Sequence, residues 1–401
     1  MGSMPPFSPF RGIRYSADAG SLADLTAPPY DVVDDEQRAL LAARDPHNAV
    51  HLDLPVDTDG VDRYQVACRL LHEWLDDGTL RRDDEPAFYG YRMSFTDPAG
   101  RRRHTTGVIG ALELSRPDEG RILPHEHTTP KAKSDRLEML RSCRANLSPI
   151  WGLTPAQGLT ALLGAPTSAD PSWTDDDGVE HSLWVIDDAD RVARISEAVA
   201  SRPLVIADGH HRYETSLAYR DERRESDRGE AGDAEATMAY VVELVADELT
   251  VLPIHRLVSG LPAGTDIADA LGPWFEVGAG VELGPTTVDQ MVDAGTLVLV
   301  ERSGARELRP RPEAFAQVRD LDTSRVDAAL GGLPSHELRY QHGVDEVARA
   351  VAEGSADAGI LVRPATVDAI AATADGGERM PPKTTFFHPK PRTGPVFRSL
   401  G

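Results

Sequence analysis

The sequence predicts an α+β fold in which a mixed sheet is flanked by helices. Segments in which apolar and polar residues alternate, as in strands, are interspersed with segments whose apolar residues recur at helical spacing. Some strand segments are joined by short turns, as in hairpins, whereas others are separated by a helix, so we expect both antiparallel and parallel pairing. The chain has 401 residues and 40% hydrophobic content, which is enough for a large core.

The N-terminal portion, residues 1–115, is predicted to combine helices with a strand pair. Prolines extend the first segment, and a second proline-containing loop is expected to present Tyr30 and Asp31 to a substrate. The later elements are predicted as helices over 35–43 and 61–77 and strands over 87–95 and 105–114, with a turn at 98–100.

The middle portion, residues 116–260, carries most of the polar motifs. Pro124 and Pro130 bracket a polar loop, which leads into a helix capped near Ser134. The predicted elements are a helix over 134–143, a strand over 182–186, a helix over 190–201, a solvated charged stretch over 222–235, and strands over 237–245 and 249–252.

The C-terminal portion, residues 261–401, is predicted to be α/β as well. It includes a helix over 344–352 and a strand over 358–362. We expect its tail, residues 379–391, to pack back toward the functional site, and all three portions to form one cooperative unit.

The composition excludes several classes of function. A formal net charge of −23 argues against a nucleic-acid partner, which requires a basic face. The apolar runs are too short to span a membrane, and two cysteines provide no disulfide framework. Because the N-terminus also lacks the features of a signal peptide, we expect a cytoplasmic protein without a membrane partner. A homodimer remains open.

The distribution of lysine is informative because the chain otherwise prefers arginine. All four lysines, Lys131, Lys133, Lys383 and Lys390, fall in two short motif-like segments. An ammonium and a guanidinium are not interchangeable at sites that bind phosphate or transfer protons. The lysines therefore mark two candidate parts of a site, although chance clustering is the alternative.

The strongest motif is Asp-Gly-His-His-Arg at residues 208–212, between an apolar run and a helical pattern. Helix N-termini attract anions, and Gly209 permits a tight turn and close approach of a ligand to the backbone. A plain capped helix start is the alternative interpretation. The motif predicts a phosphate site whose candidate residues are Asp208, Gly209, His210, His211 and Arg212.

Two further polar segments are candidates for the same site. His125 and Glu126, followed by Lys131, Lys133 and Arg136, combine a potential general base with phosphate-binding cations. A solvated loop is the alternative. Near the C-terminus, Lys383 and Thr384 could cap a ligand, unless the segment is simply a docked strand. His255 and Arg256, like Tyr30 and Asp31, are weaker candidates for substrate binding.

Common nucleotide motifs are missing from the sequence. There is no Walker A pattern, no spaced GxGxxG pattern and no GxSxG elbow. Residues 208–212 are thus left as the main candidate phosphate cradle.

Taken together, the motifs resemble those of a bacterial and archaeal family known as domain of unknown function 1015. The resemblance extends from about Phe7 to Phe397 and rests on the segments 10–12, 28–32, 124–126, 131–136, 207–215, 253–256 and 380–385. The family label implies little chemistry.

The 208–212 motif is also similar to that of the free-serine kinases of the ParB/sulfiredoxin group. This second resemblance implies that Asp208, His210, His211 and Arg212 serve nucleotide phosphates, with Asp208 also binding Mg²⁺. It further implies that Glu126 accepts the proton of the substrate hydroxyl. ATP or ADP and Mg²⁺ are the implied cofactors.

The leading hypothesis is a Mg²⁺-dependent kinase that acts on a small hydroxylated metabolite, with free L-serine as the best candidate. One alternative is a phosphatase for O-phosphoserine or a similar monoester. The other is a nucleotide-gated, ParB-like binding protein without turnover of a small molecule.

Overall fold

The computed structural model describes most of the chain. Its described residues are 4–124, 130–226, 229, 231–375, 380–381 and 383–401, with the backbone alone for 124, 130–133, 374 and 375. Glu126 and His125 therefore lie outside the described residues. For Lys131 and Lys133 the structure gives the backbone position but not the side chain.

A mixed sheet of nine strands forms the centre of the described residues. Its strands, from one edge, are β6 (Ile122–Pro124), β11 (Leu204–Asp208), β8 (Ile150–Thr154), β12 (Ala236–Glu243), β5 (Arg102–Glu113), β4 (Phe88–Thr96), β10 (Glu180–Ile186) and β9 (Ser172–Thr174), with β1 (Phe7–Ser8) paired to β5. The pairs β11–β6 and β12–β8 are parallel and the other pairs are antiparallel.

A second sheet, of six antiparallel strands, follows in the C-terminal part of the described chain. Its order is β15 (Phe275–Val281), β17 (Gly304–Pro310), β16 (Leu297–Glu301), β19 (Ala358–Leu361), β14 (His255–Ser259) and β18 (Glu337–Gln341). Three two-stranded pairs complete the strands: β2 (Ile13–Tyr15) with β3 (Leu80–Arg82), β7 (Ala145–Asn146) with β21 (Arg398–Ser399), and β13 (Thr250–Leu252) with β20 (Phe386–His388).

The helices of the described residues vary from one turn to nearly five. They are α1 (Leu22–Leu25), α2 (Asp35–Arg44), α3 (Val50–Asp53), α4 (Arg63–Asp76), α5 (Pro130–Cys143), α6 (Leu159–Leu163), α7 (Ala189–Val199), α8 (His210–Ser226), α9 (Ile267–Leu271), α10 (Thr287–Ala294), α11 (Asp322–Leu330), α12 (Val344–Ala352) and α13 (Val367–Asp375). Among the described residues, no helix has both the length and the apolar character needed to cross a membrane.

The predicted α+β class with a mixed sheet is confirmed, and most elements lie where the periodicity placed them. Helix α5 differs, because it begins at Pro130 and not near Ser134. Proline suits the first turn of a helix, where its missing N–H would have no partner. The strands predicted over 237–245 and 249–252 do form, but they join different sheets: β12 pairs with β5 and β8, whereas β13 pairs with the tail strand β20.

The two predicted internal boundaries do not coincide with boundaries between sheets. The large sheet takes β4 and β5 from before residue 115 and β8, β11 and β12 from after it. Strand β14, which precedes residue 260, is an internal strand of the second sheet.

The two faces of the large sheet are covered differently. Alternate residues of β4 illustrate the separation, since Tyr91 and Met93 point to one cluster and Phe88 to the other. Helices α6 and α7 cover the face of Phe88. The opposite face is covered in part by the C-terminal tail, through Phe387 and Val396. The tail is therefore part of the core of this sheet.

A close approach between β4 and β10 provides a test of this packing. Gly90 pairs with Trp184 across the two strands, and a Cβ at residue 90 would lie 2.0 Å from the indole ring. We expect Gly90→Ala to lower the free energy of unfolding by about 1–3 kcal/mol through overpacking. Gly284→Ala is the control, because a Cβ there meets nothing within 4 Å. Chemical denaturation measures both, and equal effects of the two substitutions would contradict the packing.

Candidate functional site

The centre of the site is the turn from β11 into α8. The apolar residues of β11 end at Asp208, Gly209 adopts a φ of +87°, and α8 begins at His210. The first α-helical hydrogen bond runs from Tyr213 N–H to Gly209 O, at 2.9 Å. The N-terminal end of an α-helix carries the positive end of its dipole. The turn thus has the architecture of an anion-binding site.

The Arg212 side chain folds back over this turn. Its Nη2 lies 2.8 Å from Asp208 Oδ2, and its Nη1 donates to Ser148 Oγ at 3.1 Å and to Pro149 O at 2.5 Å. The side chain is only 10% exposed. Its Nε is buried and has no hydrogen-bond partner among the described residues. A Cβ at Gly209 would lie 3.0 Å from this nitrogen, so the absence of a side chain at residue 209 lets the guanidinium pack closely against the turn.

Lys390, from the C-terminal tail, supplies a second cation. Its Nζ lies 3.0 Å from Asp208 Oδ1 and 2.5 Å from Asp31 Oδ2. The lysine side chain is 13% exposed. Three segments that are far apart in the sequence therefore meet at one ammonium group.

The charged side chains of Asp208 and Lys390 stabilise each other's ionised form. Burial by itself raises the pKa of Asp208, but the nearby charges of Lys390 and Arg212 outweigh it and lower that pKa to about 2. Burial lowers the pKa of Lys390, but Asp208 and Asp31 outweigh it, so the net shift is upward. Both groups are therefore held in their charged forms at neutral pH.

Tyr30 lies between two guanidinium groups. Its ring centroid is 4.3 Å from the Arg136 carbon Cζ and 6.0 Å from that of Arg212. Arg136 is itself paired, at 2.8 Å with Asp53 and at 2.7 Å with Asp135. Burial raises the pKa of the Tyr30 hydroxyl. Tyr30 and Arg136 thus form one wall of the site, and Asp31 contributes its carboxylate to Lys390.

The two histidines of the motif occupy different environments. His210 is 6% exposed at the start of α8, and after Lys390 and Arg212 it is a further contributor to the lowered pKa of Asp208. His211 lies on the next position of the helix, where its carbonyl accepts a hydrogen bond from Thr215 Oγ1. Both residues belong to the first turn of α8, as the motif requires.

The other predicted residues contact the tail at some distance along the chain from Lys390. Arg256 in β14 is fully buried, and its Nη1 donates to Ile254 O at 2.7 Å and to Lys383 O at 3.2 Å. His255 accepts a hydrogen bond from Val362 N–H at 3.2 Å. The Thr384 hydroxyl donates to Pro381 O at 2.7 Å. Arg256 thus joins the backbone at residue 383 to the second sheet, whereas His255 contacts the residue that follows β19.

The described residues do not fit Mg²⁺ at Asp208. They contain no group of three His, Cys, Asp or Glu side chains able to hold a metal ion. Both oxygens of Asp208 already contact cations, Arg212 on one side and Lys390 on the other. Lys390 takes the position between Asp31 and Asp208 that a cation ligated by both would take.

Two contributors were not among the predicted site residues. The lysine count marked Lys390 as unusual, but nothing in the sequence paired it with Asp208, which lies 182 positions earlier. Apart from the adjacent Pro149, nothing in the sequence indicated that Ser148 belongs to the site. Its hydroxyl accepts a hydrogen bond from Arg212 and so orients that side chain.

The fold and this cluster define an α+β protein in which a strand–glycine–helix turn contacts a lysine from the C-terminal tail. The chain belongs to the family described as protein of unknown function DUF1015, which it matches over residues 7–324. No curated protein matches it in sequence.

Several solved structures are similar to the chain. A conserved hypothetical protein from Pyrococcus furiosus has 13% identity and a TM-score of 0.36, with 73% of this chain and 95% of that one covered. A free serine kinase in complex with AMP has 14% identity and a TM-score of 0.37, with 73% and 91% covered. SbnI with a C-terminal truncation, from Staphylococcus aureus, has 11% identity and a TM-score of 0.39, with 71% and 85% covered.

The lowered pKa of Asp208 predicts how stability depends on pH. A carboxylate with a depressed folded-state pKa stabilises the protein above its unfolded pKa, near 4, and loses that contribution as the pH falls toward 2. We expect Asp208→Asn to cost about 2 kcal/mol of unfolding free energy at pH 7 and about half of that at pH 3. Urea denaturation of both proteins at the two pH values measures the difference.

Asp289→Asn is the matched control for that measurement, because it makes the same change at a carboxylate that is paired with an arginine. Both side chains of that pair, Asp289 and Arg101, are exposed, so the substitution is expected to cost little stability. A cost of Asp208→Asn that stays constant between pH 7 and pH 3 would contradict the assignment.

Proposed function

We propose that this protein is a phosphotransferase that moves a phosphoryl group from ATP or ADP to a small hydroxylated metabolite. The observation that carries the proposal is the unpaired, buried Nε of Arg212 beside Gly209, at the N-terminus of α8. A buried donor without a partner costs free energy, and an anion seated in the turn would satisfy it.

The donor phosphates would lie over the Gly209–His211 backbone. There the N–H groups of the first helical turn, the helix dipole and Arg212 Nε all favour negative charge. Lys390 adds an ammonium within 3.0 Å of Asp208, at the same turn. In a chain with a net charge of −23, a turn where two cations balance two carboxylates repels a phosphorylated ligand less than the rest of the surface does.

In the proposed reaction, Arg212 and Lys390 stabilise the charge on the transferring phosphoryl group. Asp208 keeps both cations in place through one oxygen each. Tyr30 and Asp31 border the place where the acceptor would bind. Glu126 is the proposed acceptor of the hydroxyl proton, an assignment that rests on the sequence motif because its position lies outside the described residues.

Free L-serine is the first acceptor to test, because residues 208–212 resemble the motif of free-serine kinases. Mg²⁺ would supply further charge neutralisation of the donor phosphates. Since Lys390 already lies between the two carboxylates, we treat the metal as a variable of the assay, to be tested together with Lys390→Met.

The assay incubates the protein with ATP or ADP and a pool of amino acids, with and without Mg²⁺, and identifies phosphorylated products by mass spectrometry. We expect product formation that Asp208→Asn lowers by at least about 100-fold, since it releases both phosphate-binding cations. Asp289→Asn, at an exposed ion pair, is expected to leave the rate unchanged. If turnover is absent, or equal in wild type and Asp208→Asn, the kinase proposal is wrong.

The same assay separates the alternatives. Release of phosphate from O-phosphoserine without any nucleotide would identify a phosphatase. Nucleotide binding that drives dimerisation, without a phosphorylated product, would identify a nucleotide-gated binding protein. Either outcome overturns the kinase proposal.

Gly209 provides a second test, directed at the cradle itself. Gly209→Ala puts a methyl group 3.0 Å from Arg212 Nε, so the guanidinium that would contact the ligand must shift. We expect it to weaken nucleotide binding by about tenfold or more, through steric exclusion and loss of a hydrogen bond. A fluorescent nucleotide titration measures the change.

Gly158→Ala is the matched control for Gly209→Ala. Gly158 also precedes a helix, α6, and its φ of +86° is nearly the same, but a Cβ there meets nothing within 4 Å. Both substitutions carry a similar backbone strain of about 1 kcal/mol. Equal loss of nucleotide binding in the two variants would attribute the effect to strain and contradict the cradle.

A further inference from the structure

We infer that a buried network of Tyr91, His181, Asp175 and Arg392 is a positioning device that holds Lys390 in the site. The importance of that position for catalysis rests on the proposed function. The network itself is a feature of the core, and its effect on Lys390 can be measured without any turnover.

The four residues form a closed hydrogen-bonded circuit. The backbone N–H of Arg392 donates to the Tyr91 hydroxyl at 3.3 Å, and that hydroxyl lies 2.8 Å from His181 Nδ1. His181 Nε2 lies 3.0 Å from Asp175 Oδ2, which in turn lies 3.4 Å from Arg392 Nη1. The circuit thus begins at the main chain of Arg392 and ends at its side chain.

This geometry assigns the proton positions. The Tyr91 hydroxyl accepts from Arg392 N–H and donates to His181 Nδ1, so the imidazole carries its proton on Nε2 and donates it to Asp175. Burial lowers the pKa of His181 and raises that of Tyr91, which favours the neutral form of each. A neutral relay thus links the main chain of the tail to the Asp175 carboxylate.

The network is rigid because it lies inside a packed aromatic cluster. Tyr91 is fully buried, and the rings of Tyr91 and Trp173 stack on His181 with centroid distances of 5.9 and 5.1 Å. The side chains of Asp175 and Arg392 are 5% and 6% exposed. A buried ion pair is an expensive way to gain stability, whereas it specifies one arrangement of the groups that surround it.

The arrangement specified here includes both partners of the Asp31–Lys390 ion pair. Lys390 lies two positions before Arg392 in the tail. Arg392 Nη2 donates to Thr26 O at 3.0 Å, at the start of the loop that leads to Asp31. The next residues, Ala27 and Thr393, exchange a pair of backbone hydrogen bonds of 3.0 and 2.8 Å. Arg392 therefore fixes the two chain segments in register, and Lys390 meets Asp31 as a consequence.

The accessibility of the Lys390 amine can be measured directly, because the chain contains only four lysines. Reductive methylation followed by mass spectrometry gives the labelling rate of each one. Lys390 is mostly buried and should label slowly, whereas Lys383 is exposed and provides an internal reference. The rate at a buried amine reports how often its segment opens.

Tyr91→Phe removes the hydroxyl and keeps the stacked ring. We expect it to raise the labelling rate of Lys390 relative to Lys383 by about tenfold, since two hydrogen bonds to the network are lost. Asp175→Asn is the second variant, and it should raise the ratio in the same direction. In a protein that turns over nucleotide, both variants should lower kcat with little change in the KM of the acceptor.

Tyr240→Phe is the matched control. Its ring packs against Tyr91, but its hydroxyl donates to Tyr91 O, at 3.2 Å, and not to the tail. We expect this variant to leave the Lys390 ratio unchanged. An unchanged ratio in Tyr91→Phe, or an equal rise in Tyr240→Phe, would overturn the positioning role. A raised ratio in a protein without turnover would support the positioning role while the proposed function fails.

Discussion

The ammonium of Lys390 between the carboxylates of Asp31 and Asp208 is the interaction on which the rest of the site depends. Burying the Lys390 ammonium is costly, and the attraction of the two carboxylates offsets that cost. The same contacts fix the N-terminal loop, the end of β11 and the tail relative to one another. Removing Lys390 would release both of the segments that it joins to the tail.

The C-terminal tail has two roles at once. It covers one face of the large sheet through Phe387 and Val396, and it delivers Lys390 to the turn at the edge of that sheet. The family match ends at residue 324, so this segment lies beyond the matched residues. The part of the site that the family motif describes, at Asp208 and Arg212, is thus completed by a cation from outside it. The hydrophobic contacts of the tail supply the free energy that keeps a costly charge in position.

The acidic composition makes these few cations important for the binding of an anion. With a net charge of −23, the surface as a whole repels anions, so an anionic ligand requires a place where the negative charge is neutralised. Arg212 and Lys390 neutralise the nearby carboxylates next to a helix N-terminus. Other buried arginines have different roles. Arg136 is fully engaged with Asp53 and Asp135, and Arg256 holds the backbone at Lys383.

The sequence by itself determined the class of fold, most helices and strands, and the strand–glycine–helix turn at 208–210, because periodicity and turn chemistry are local properties. It also placed Asp208 and Arg212 in one candidate site, and their side chains form an ion pair in the structure. Only the tertiary structure decided that Lys390 joins them, that β13 pairs with the tail and that Arg392 anchors it. Those pairings join residues more than 130 positions apart, and they depend on how the sheet and the tail pack, which no local pattern encodes.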